Sequence, residues 1–214
     1  VKNCDLTEAH SIIPLAVLEA MRNLDSPSDE EVAEYVDELL KKRLGLSDTV
    51  AAQIGRYEAV VRRDRTVRAE EAEQILRLAS RRTDAALVFA DAGRRAARHA
   101  VKRLALSARW GARSLPRFLG RAIGFRASRR AAAEVFAATI TRDDGETVAI
   151  VAHALPVRAT PDGAACAFFS AAFAELLRQL VEFDGAMTHT RCLSRGDARC
   201  EWRSTTGPTG GGTR

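Results

Sequence analysis

Apolar residues recur at spacings of three and four over the first half of the chain. Three segments between residues 11 and 106 have this period and predict helices, namely SIIPLAVLEAMRNL, DSPSDEEVAEYVDELLKKRLG and AEEAEQILRLASRRTDAALVFADAGRRAARHAVKRL. In the second segment, Ser28 and Glu31 form a capping pattern and Gly45 marks the end of the helix. We therefore expect a helical layer to precede the rest of the fold.

The apolar pattern changes after about Ala133. EVFAATI and TVAIVAHAL flank TRDDGE, in which Asp144 and Gly145 tolerate the left-handed conformation of a tight turn, and this predicts a hairpin. The next segment, ACAFFSAAFAELLRQLVEF, predicts a helix with five large side chains inward: Phe169, Phe173, Leu176, Leu177 and Leu180. A second hairpin around RGD closes the fold, and TTGPTGGGTR is a flexible tail by composition.

This order of elements predicts an α+β fold, in which an antiparallel sheet with packed helices follows a helical N-terminal region. We expect a helical extension over residues 1–68, a ligand-binding domain over 69–204 and a flexible tail over 205–214. The chain has 214 residues and 46% hydrophobic content, enough to bury a core. No apolar run approaches the roughly 18 residues of a membrane span, and no export signal is seen. We expect a cytoplasmic protein, with attachment to the inner-membrane surface as the alternative.

Positive charge is concentrated in one region. The net charge is +5, yet residues 92–133 contain no acidic residue. Four arginines recur there at every fourth position: Arg109, Arg113, Arg117 and Arg121. Gly111, Pro116 and Gly120 are expected to interrupt a continuous helix. Arginines interleaved with large apolar residues are typical of a membrane-surface segment, a polyanion site or a pocket for an amphiphilic anion, but also of an ordinary solvated face. Nucleic acid is a less favoured partner because no recognition motif accompanies the pattern.

The last quarter of the chain holds three cysteines and a histidine that could bind a metal. If the second hairpin turns at Gly196, Cys192 and Cys200 face each other across it. Cys166, near the start of the preceding helix, and His189 could complete the tetrahedral N/S shell that zinc prefers. Cys4 is left unassigned.

Two other interpretations of these cysteines stay open, namely a disulfide across the hairpin and reduced thiols in the core. A cytosolic setting disfavours the disulfide. His189 is the weakest of the four candidates because it lies three residues before Cys192, whereas strand side chains alternate between faces with period two. A β-bulge or a strand end between the two would be needed to place them on one face.

The run CAFFSAAFAELLRQLVEFDGAMTHTRCLSRGDARCEW resembles the 4-vinyl reductase domain family, a predicted hydrocarbon-binding module related in fold to trafficking-complex subunits. The specific parts are a Cys-x7-Cys pair enclosing Gly-Asp and a cysteine about 26 residues upstream. A weaker likeness continues N-terminally through SLPRFLGRAIGF. The chain is most similar to the members that act in bacteriochlorophyll biosynthesis. Zinc-binding relatives use an upstream cysteine, an acidic residue three before the first hairpin cysteine, and the two hairpin cysteines as ligands. The resemblance implies that the matching residues, Cys166, His189, Cys192 and Cys200, bind zinc here, with histidine in place of the acidic ligand.

The resemblance also implies a pocket between helices and sheet for a hydrophobic small molecule, with a chlorophyll-type tetrapyrrole as the candidate ligand. We expect five aromatic residues to line it: Trp110, Phe118, Phe136, Phe169 and Phe173. Three arginines are expected to bind a propionate or another anion: Arg113, Arg117 and Arg121. The expected role is a carrier or accessory protein, partnered by a biosynthetic enzyme, an anionic membrane surface or a second copy of the chain.

Catalysis is the less favoured interpretation of the same resemblance. Reducing a vinyl group needs a hydride or electron source, and the sequence has no G-x-G-x-x-G after a strand and no spare cysteines for an iron–sulfur cluster. His10, His99 and His153 appear in the sequence without a partnered carboxylate or nucleophile. A tetrapyrrole 4-vinyl reductase and a small-molecule sensor domain stay as alternatives.

Overall fold

The computed structural model describes residues 6–26, 47–104 and 117–206. Its helices are α1 (Ile12–Asp25), α2 (Asp48–Arg62), α3 (Ala69–Ser80), α4 (Ala85–Arg103), α5 (Arg117–Phe136), α6 (Leu155–Ala159) and α7 (Cys166–Val181). Its strands are β1 (Glu8–His10), β2 (Thr66–Arg68), β3 (Ala138–Asp143), β4 (Glu146–Val151), β5 (Gly185–Arg191) and β6 (Cys200–Thr206). The predicted α+β class with helices packed on antiparallel strands is confirmed.

The larger sheet has the strand order β3-β4-β6-β5, and every neighbouring pair is antiparallel. Both predicted hairpins are therefore present, and their inner strands β4 and β6 pair with each other. In the first hairpin, Asp143 pairs with Glu146, so that Asp144 (φ 47°) and Gly145 (φ 84°) alone make the turn. Two left-handed residues give the twist that a two-residue hairpin requires. The strands β1 and β2 form a separate two-stranded sheet.

Two local predictions around α5 were wrong. Gly120, expected to interrupt a helix, lies inside α5 and is buried. Phe136, expected in a strand, is the last residue of α5, and Ala137 (φ 48°) separates the helix from β3. Glycine costs about 1 kcal/mol in a helix, but close packing outweighs this cost. At Gly124 of the same helix, for example, a Cβ atom would lie 1.8 Å from the Leu180 carbonyl oxygen.

Helix α7 occupies the centre of the core, between the sheet and the other helices. All five side chains predicted to point inward from it are buried. Helix α4 packs closely on α7, because a Cβ atom at Gly93 would lie 2.2 Å from the Phe168 carbonyl oxygen. Helix α1, whose apolar residues are nearly all buried, belongs to the same hydrophobic core. The core is thus continuous across the domain boundary expected near residue 68.

Several predictions concern residues outside the described ranges. They are residues 27–45 of the second predicted helix, with Ser28 and Glu31, the arginines 109 and 113, Trp110, Cys4 and the end of the tail. Helix α2 was not among the predicted segments. It begins after Ser47, whose side chain accepts a hydrogen bond from the Val50 amide. Among the described helices, none combines the length and the apolar character that a membrane crossing requires.

Candidate metal centre

Cys166, His189, Cys192 and Cys200 converge on one point at the end of the sheet. Their four potential ligand atoms all lie within 4.8 Å of one another. The Cys166 sulfur lies 3.9 Å from the sulfur of Cys192 and 3.9 Å from that of Cys200. Sulfurs about 2.3 Å from a tetrahedral zinc ion would be about 3.8 Å apart. The four side chains thus form a group that could hold a metal ion.

The sulfur separations also bear on the disulfide interpretation. A disulfide requires two sulfurs about 2.05 Å apart. The three cysteines of this cluster are free, and all are buried, at 2%, 2% and 0% exposure for Cys166, Cys192 and Cys200. A disulfide between any two of the three cysteines would also leave the third as an unpaired thiol.

A β-bulge brings His189 and Cys192 to the same side of the hairpin. His189 pairs with Trp202, whereas Arg191 pairs with Glu201, so Thr190 is the extra residue. Such an insertion reverses the alternation of faces along the bulged strand. The three-residue spacing, which a regular strand would not allow, is therefore compatible with a shared site. The pairing of Arg191 with Glu201 also matches the register expected from a turn at Gly196.

The connection between β5 and β6 is folded around the Cys192 backbone. The Cys192 amide donates to the Asp197 carboxylate at 2.7 Å, and its carbonyl oxygen accepts from the amides of Arg195 (3.0 Å) and Asp197 (3.2 Å). The Leu193 amide lies 3.5 Å from the Cys200 sulfur. Hydrogen bonds of this kind orient metal ligands and stabilise thiolate charge.

Gly163 closes the cluster from the loop that precedes α7. It adopts φ 79°, a conformation that residues with a side chain rarely take. A Cβ atom there would lie 2.9 Å from the Ser194 hydroxyl oxygen and 3.2 Å from the Cys192 sulfur. The Ser194 hydroxyl in turn lies 2.9 Å from that sulfur. The site therefore needs glycine at this position for conformation and for space.

His189 contributes an imidazole that has an unused nitrogen. Its Nε2 atom is buried and has no hydrogen-bond partner among the described residues. A buried polar atom normally has a partner, because leaving it unpaired costs about 1 to 3 kcal/mol. Coordination of a metal through Nε2 would remove that cost, so the histidine fits the site as a ligand.

The thiols perturb one another's protonation. Hydrogen bonding from the Cys166 thiol, assisted by His189 and the Leu193 amide, lowers the pKa of Cys200. The same hydrogen bond, together with burial, raises the pKa of Cys166. The cluster without metal therefore favours a thiolate at Cys200 beside a protonated Cys166. A divalent cation would be needed to hold several thiolates together, which makes its binding dependent on pH.

The structure describes only some of the residues that were expected to line the ligand pocket. Phe136, Phe169 and Phe173 are at most 1% exposed and interlock with Phe168 and Trp202, with ring centroids 5.2 to 6.4 Å apart. They form a packed aromatic core. Arg117 and Phe118 belong to the first turn of α5, but their side chains lie outside the described part of the structure. Arg121 is exposed on α5, whereas Trp110 and Arg113 fall outside the described ranges.

Two of the three histidines thought to be isolated have carboxylates nearby. His99 Nε2 lies 2.9 Å from the Glu19 carboxylate, and His10 Nε2 lies 3.7 Å from that of Asp64. Burial lowers the pKa of both His10 and His153. The buried His153 donates from Nε2 to the Phe136 carbonyl oxygen at 3.1 Å. Each of the three histidines therefore has a polar neighbour within 4 Å.

Sequence reasoning also missed several residues that support the site. Gly163, Ser194, Asp197 and Trp202 each contact a ligand residue. The Asp-Gly pair just before Cys166 was a turn signal that could have identified Gly163.

No protein-family model matches the chain, and neither the curated proteins nor the solved structures contain a match to it. The geometry of the cluster therefore carries the functional argument.

Proposed function

We propose that Cys166, His189, Cys192 and Cys200 bind one structural zinc ion, which fastens the closing hairpin to the start of α7. The observation that carries this proposal is the convergence of three buried sulfurs and one imidazole within 4.8 Å. A Cys3His set suits zinc, whose structural sites are tetrahedral and use all four positions for protein ligands. Such a site stabilises the fold and leaves no position for a substrate.

Elemental analysis of protein purified without chelator tests the proposal. We expect about one zinc per chain, which Cys192→Ser should remove together with much of the stability of the hairpin. Cys4→Ser is the matched control, since Cys4 is not among the four proposed ligands and its substitution should leave zinc content unchanged. Protein that is folded and free of zinc under these conditions would contradict the proposal.

We further propose that the protein binds a hydrophobic small molecule without converting it, as expected from the likeness to the 4-vinyl reductase domain family. A chlorophyll-type tetrapyrrole intermediate is the candidate ligand, and a carrier or accessory role in bacteriochlorophyll biosynthesis is the candidate function. A specific structural observation supports binding of an amphiphile. Surface cavities beside α5 combine apolar side chains with arginines, among them Ile123, Ala127 and Arg126. Burial of apolar surface would supply most of the affinity.

Titration with a protochlorophyllide-type pigment, followed by absorbance, tests the ligand. We expect a saturable spectral shift at micromolar pigment and no reduction of the vinyl group on addition of a nicotinamide cofactor. Absence of any shift up to high micromolar pigment would reject the tetrapyrrole. Turnover with nicotinamide alone would instead favour the vinyl-reductase alternative.

A further inference from the structure

Two surface cavities lie on either side of α5, and both are walled by Arg126 and Arg130. The first, of about 380 Å³, lies towards the end of α4 and has Leu104, Ile123 and Ala127 among its lining residues. The second, of about 430 Å³, lies towards the edge strand β3. Both volumes fall in the range of about 300 to 1,000 Å³ that small-molecule sites occupy. We call the first cavity with its two arginines the Arg126–Arg130 groove.

Carboxylates neutralise the positive charge of the groove only in part, and one of them, Glu134, is itself a lining residue. Arg126 and the neighbouring Arg129 are exposed and make no ion pair within the described part of the chain. Arg130 pairs with Glu134 on its own helix at 2.7 Å, and this contact is exposed. An exposed pair of this kind contributes little to stability, so the Arg130 guanidinium can be shared with a ligand at small cost.

Arg103 provides a third guanidinium at the α4 wall of the groove, and neighbouring residues hold it in place. Its side chain binds the Asp64 carboxylate. Asp64 also lies 3.7 Å from Nε2 of His10, whose side chain is only 6% exposed. The other nitrogen of that ring, Nδ1, accepts a hydrogen bond from the Ile12 amide at 3.1 Å. The wall of the groove is therefore anchored to buried structure.

We propose that the Arg126–Arg130 groove binds a carboxylate-bearing amphiphile, with the carboxylate between the two guanidinium groups and the apolar part over Leu104, Ile123 and Ala127. Arginines four apart project from the same side of a helix. A guanidinium matches a carboxylate in geometry and charge, whereas the apolar side chains would gain nothing from a purely ionic ligand.

This inference goes beyond the proposed pigment binding, because it depends on the charge and shape of the ligand and not on a tetrapyrrole ring. It also places the anion contact at Arg126 and Arg130, further along α5 than the arginines expected from the sequence. Phe136, Phe169 and Phe173, three of the aromatic residues expected to line a pocket, lie in the packed core and do not line the groove.

Calorimetric titration with decanoate, kept below its micelle concentration, tests the proposal. The wild-type protein is expected to bind decanoate, and Arg126→Gln combined with Arg130→Gln should weaken binding about tenfold or more, as for loss of charge-assisted hydrogen bonds. The matched control combines Arg22→Gln with Arg81→Gln, two exposed arginines outside the groove, and should bind decanoate like the wild type. Equal unfolding midpoints for the two double variants would show that both remain folded.

Two compounds that each carry only one part of decanoate separate the contributions of charge and apolar surface to the affinity. 1-Decanol, which has the same chain without the carboxylate, should bind about tenfold more weakly than decanoate, and acetate should show no measurable binding. Ile123→Ala should weaken decanoate binding several-fold, since it removes apolar contact area. Unchanged decanoate affinity in the Arg126 and Arg130 double variant would overturn the proposal that the groove binds the carboxylate. So would absence of decanoate binding to the wild type, whereas the pigment titration separately decides the proposed function.

Discussion

The imidazole of His189 lies flat on the indole of Trp202, with ring centroids 4.7 Å apart and planes inclined by 18°. The two residues are also directly paired across β5 and β6. Trp202 is fully buried and packs on Phe169 and Phe173, so its indole is a fixed surface. Stacking on it restricts the imidazole to an orientation beside the three sulfurs. Trp202 therefore connects the aromatic core to the candidate metal centre.

The first prediction concerns His189 as the fourth ligand. His189→Ala should lower zinc affinity markedly, because three thiolates alone leave one position of the tetrahedral shell open. His189→Cys should restore much of it by supplying a sulfur. Competition with a chromophoric chelator measures both effects. If the alanine variant kept wild-type zinc affinity, His189 would have to be removed from the ligand set.

The second prediction uses two glycines with the same backbone conformation but different surroundings. Gly163→Ala should destabilise the protein by about 1 to 2 kcal/mol from left-handed strain alone and should also weaken zinc binding, because the new methyl group meets Ser194 and Cys192. Gly145→Ala is the control, since its φ of 84° is similar but no atom lies within 4 Å of the added Cβ. Denaturant unfolding and chelator competition measure the two effects. Equal zinc affinity in the two variants would contradict the assignment of Gly163 to the site.

The third prediction concerns the ion pair that ties the end of α1 to the turn between α3 and α4. Arg82 donates two hydrogen bonds to the buried Asp25 carboxylate, at 2.7 and 2.8 Å, and two more to Asp84. Arg82→Ala should lower the free energy of unfolding by about 3 kcal/mol, because it removes two charge-assisted hydrogen bonds from a buried carboxylate. Arg82→Lys should recover only part of this loss, since an ammonium cannot reproduce the fork. The exposed Arg81→Ala should change the unfolding midpoint very little, and a similar loss there would rule out this explanation.

The fourth prediction concerns the acid dependence of the second ion pair of Arg82, which it forms with Asp84. Hydrogen bonding from Arg82 holds the pKa of Asp84 below its ordinary value. Because the folded-state pKa is lowered, this stabilisation is present above the unfolded-state pKa of about 3.9 and is lost as the pH falls through the folded-state value. The wild type should therefore lose stability below about pH 4 more steeply than Asp84→Asn. Parallel stability curves for the two proteins in that range would contradict the prediction.

The sequence was most informative where a feature depends on residues that are close together along the chain. The turn at Asp144 and Gly145, the inward face of α7 and the approach of Cys192 to Cys200 all follow from short spacings, and the structure has them. A β-bulge or a strand end between His189 and Cys192 was stated as a requirement for a shared site, and the structure has a bulge there, at Thr190. Local periodicity and turn preferences are enough to predict features of this kind.

Features that depend on distant parts of the chain were not predicted. The pairing of Glu8 with Arg68 joins two three-residue strands, which are too short to give a pattern in the sequence. Phe136 lies in a helix because α5 packs on the core and continues past the residue at which apolar and polar positions begin to alternate in the sequence. Gly120 stays helical for a related reason, since tertiary packing outweighs intrinsic propensity. The contact of Gly163 with the Cys192 loop likewise becomes visible only when both loops are placed.

X-ray absorption spectroscopy at the zinc edge is the most direct test of the central claim, that the hairpin and α7 share one metal ion. The account predicts zinc in a four-coordinate shell of three sulfurs at about 2.3 Å and one nitrogen at about 2.0 Å, with no water ligand. Cys200→Ser should abolish that shell. A zinc shell dominated by oxygen, or a wild-type protein that is folded without any bound metal, would contradict the claim.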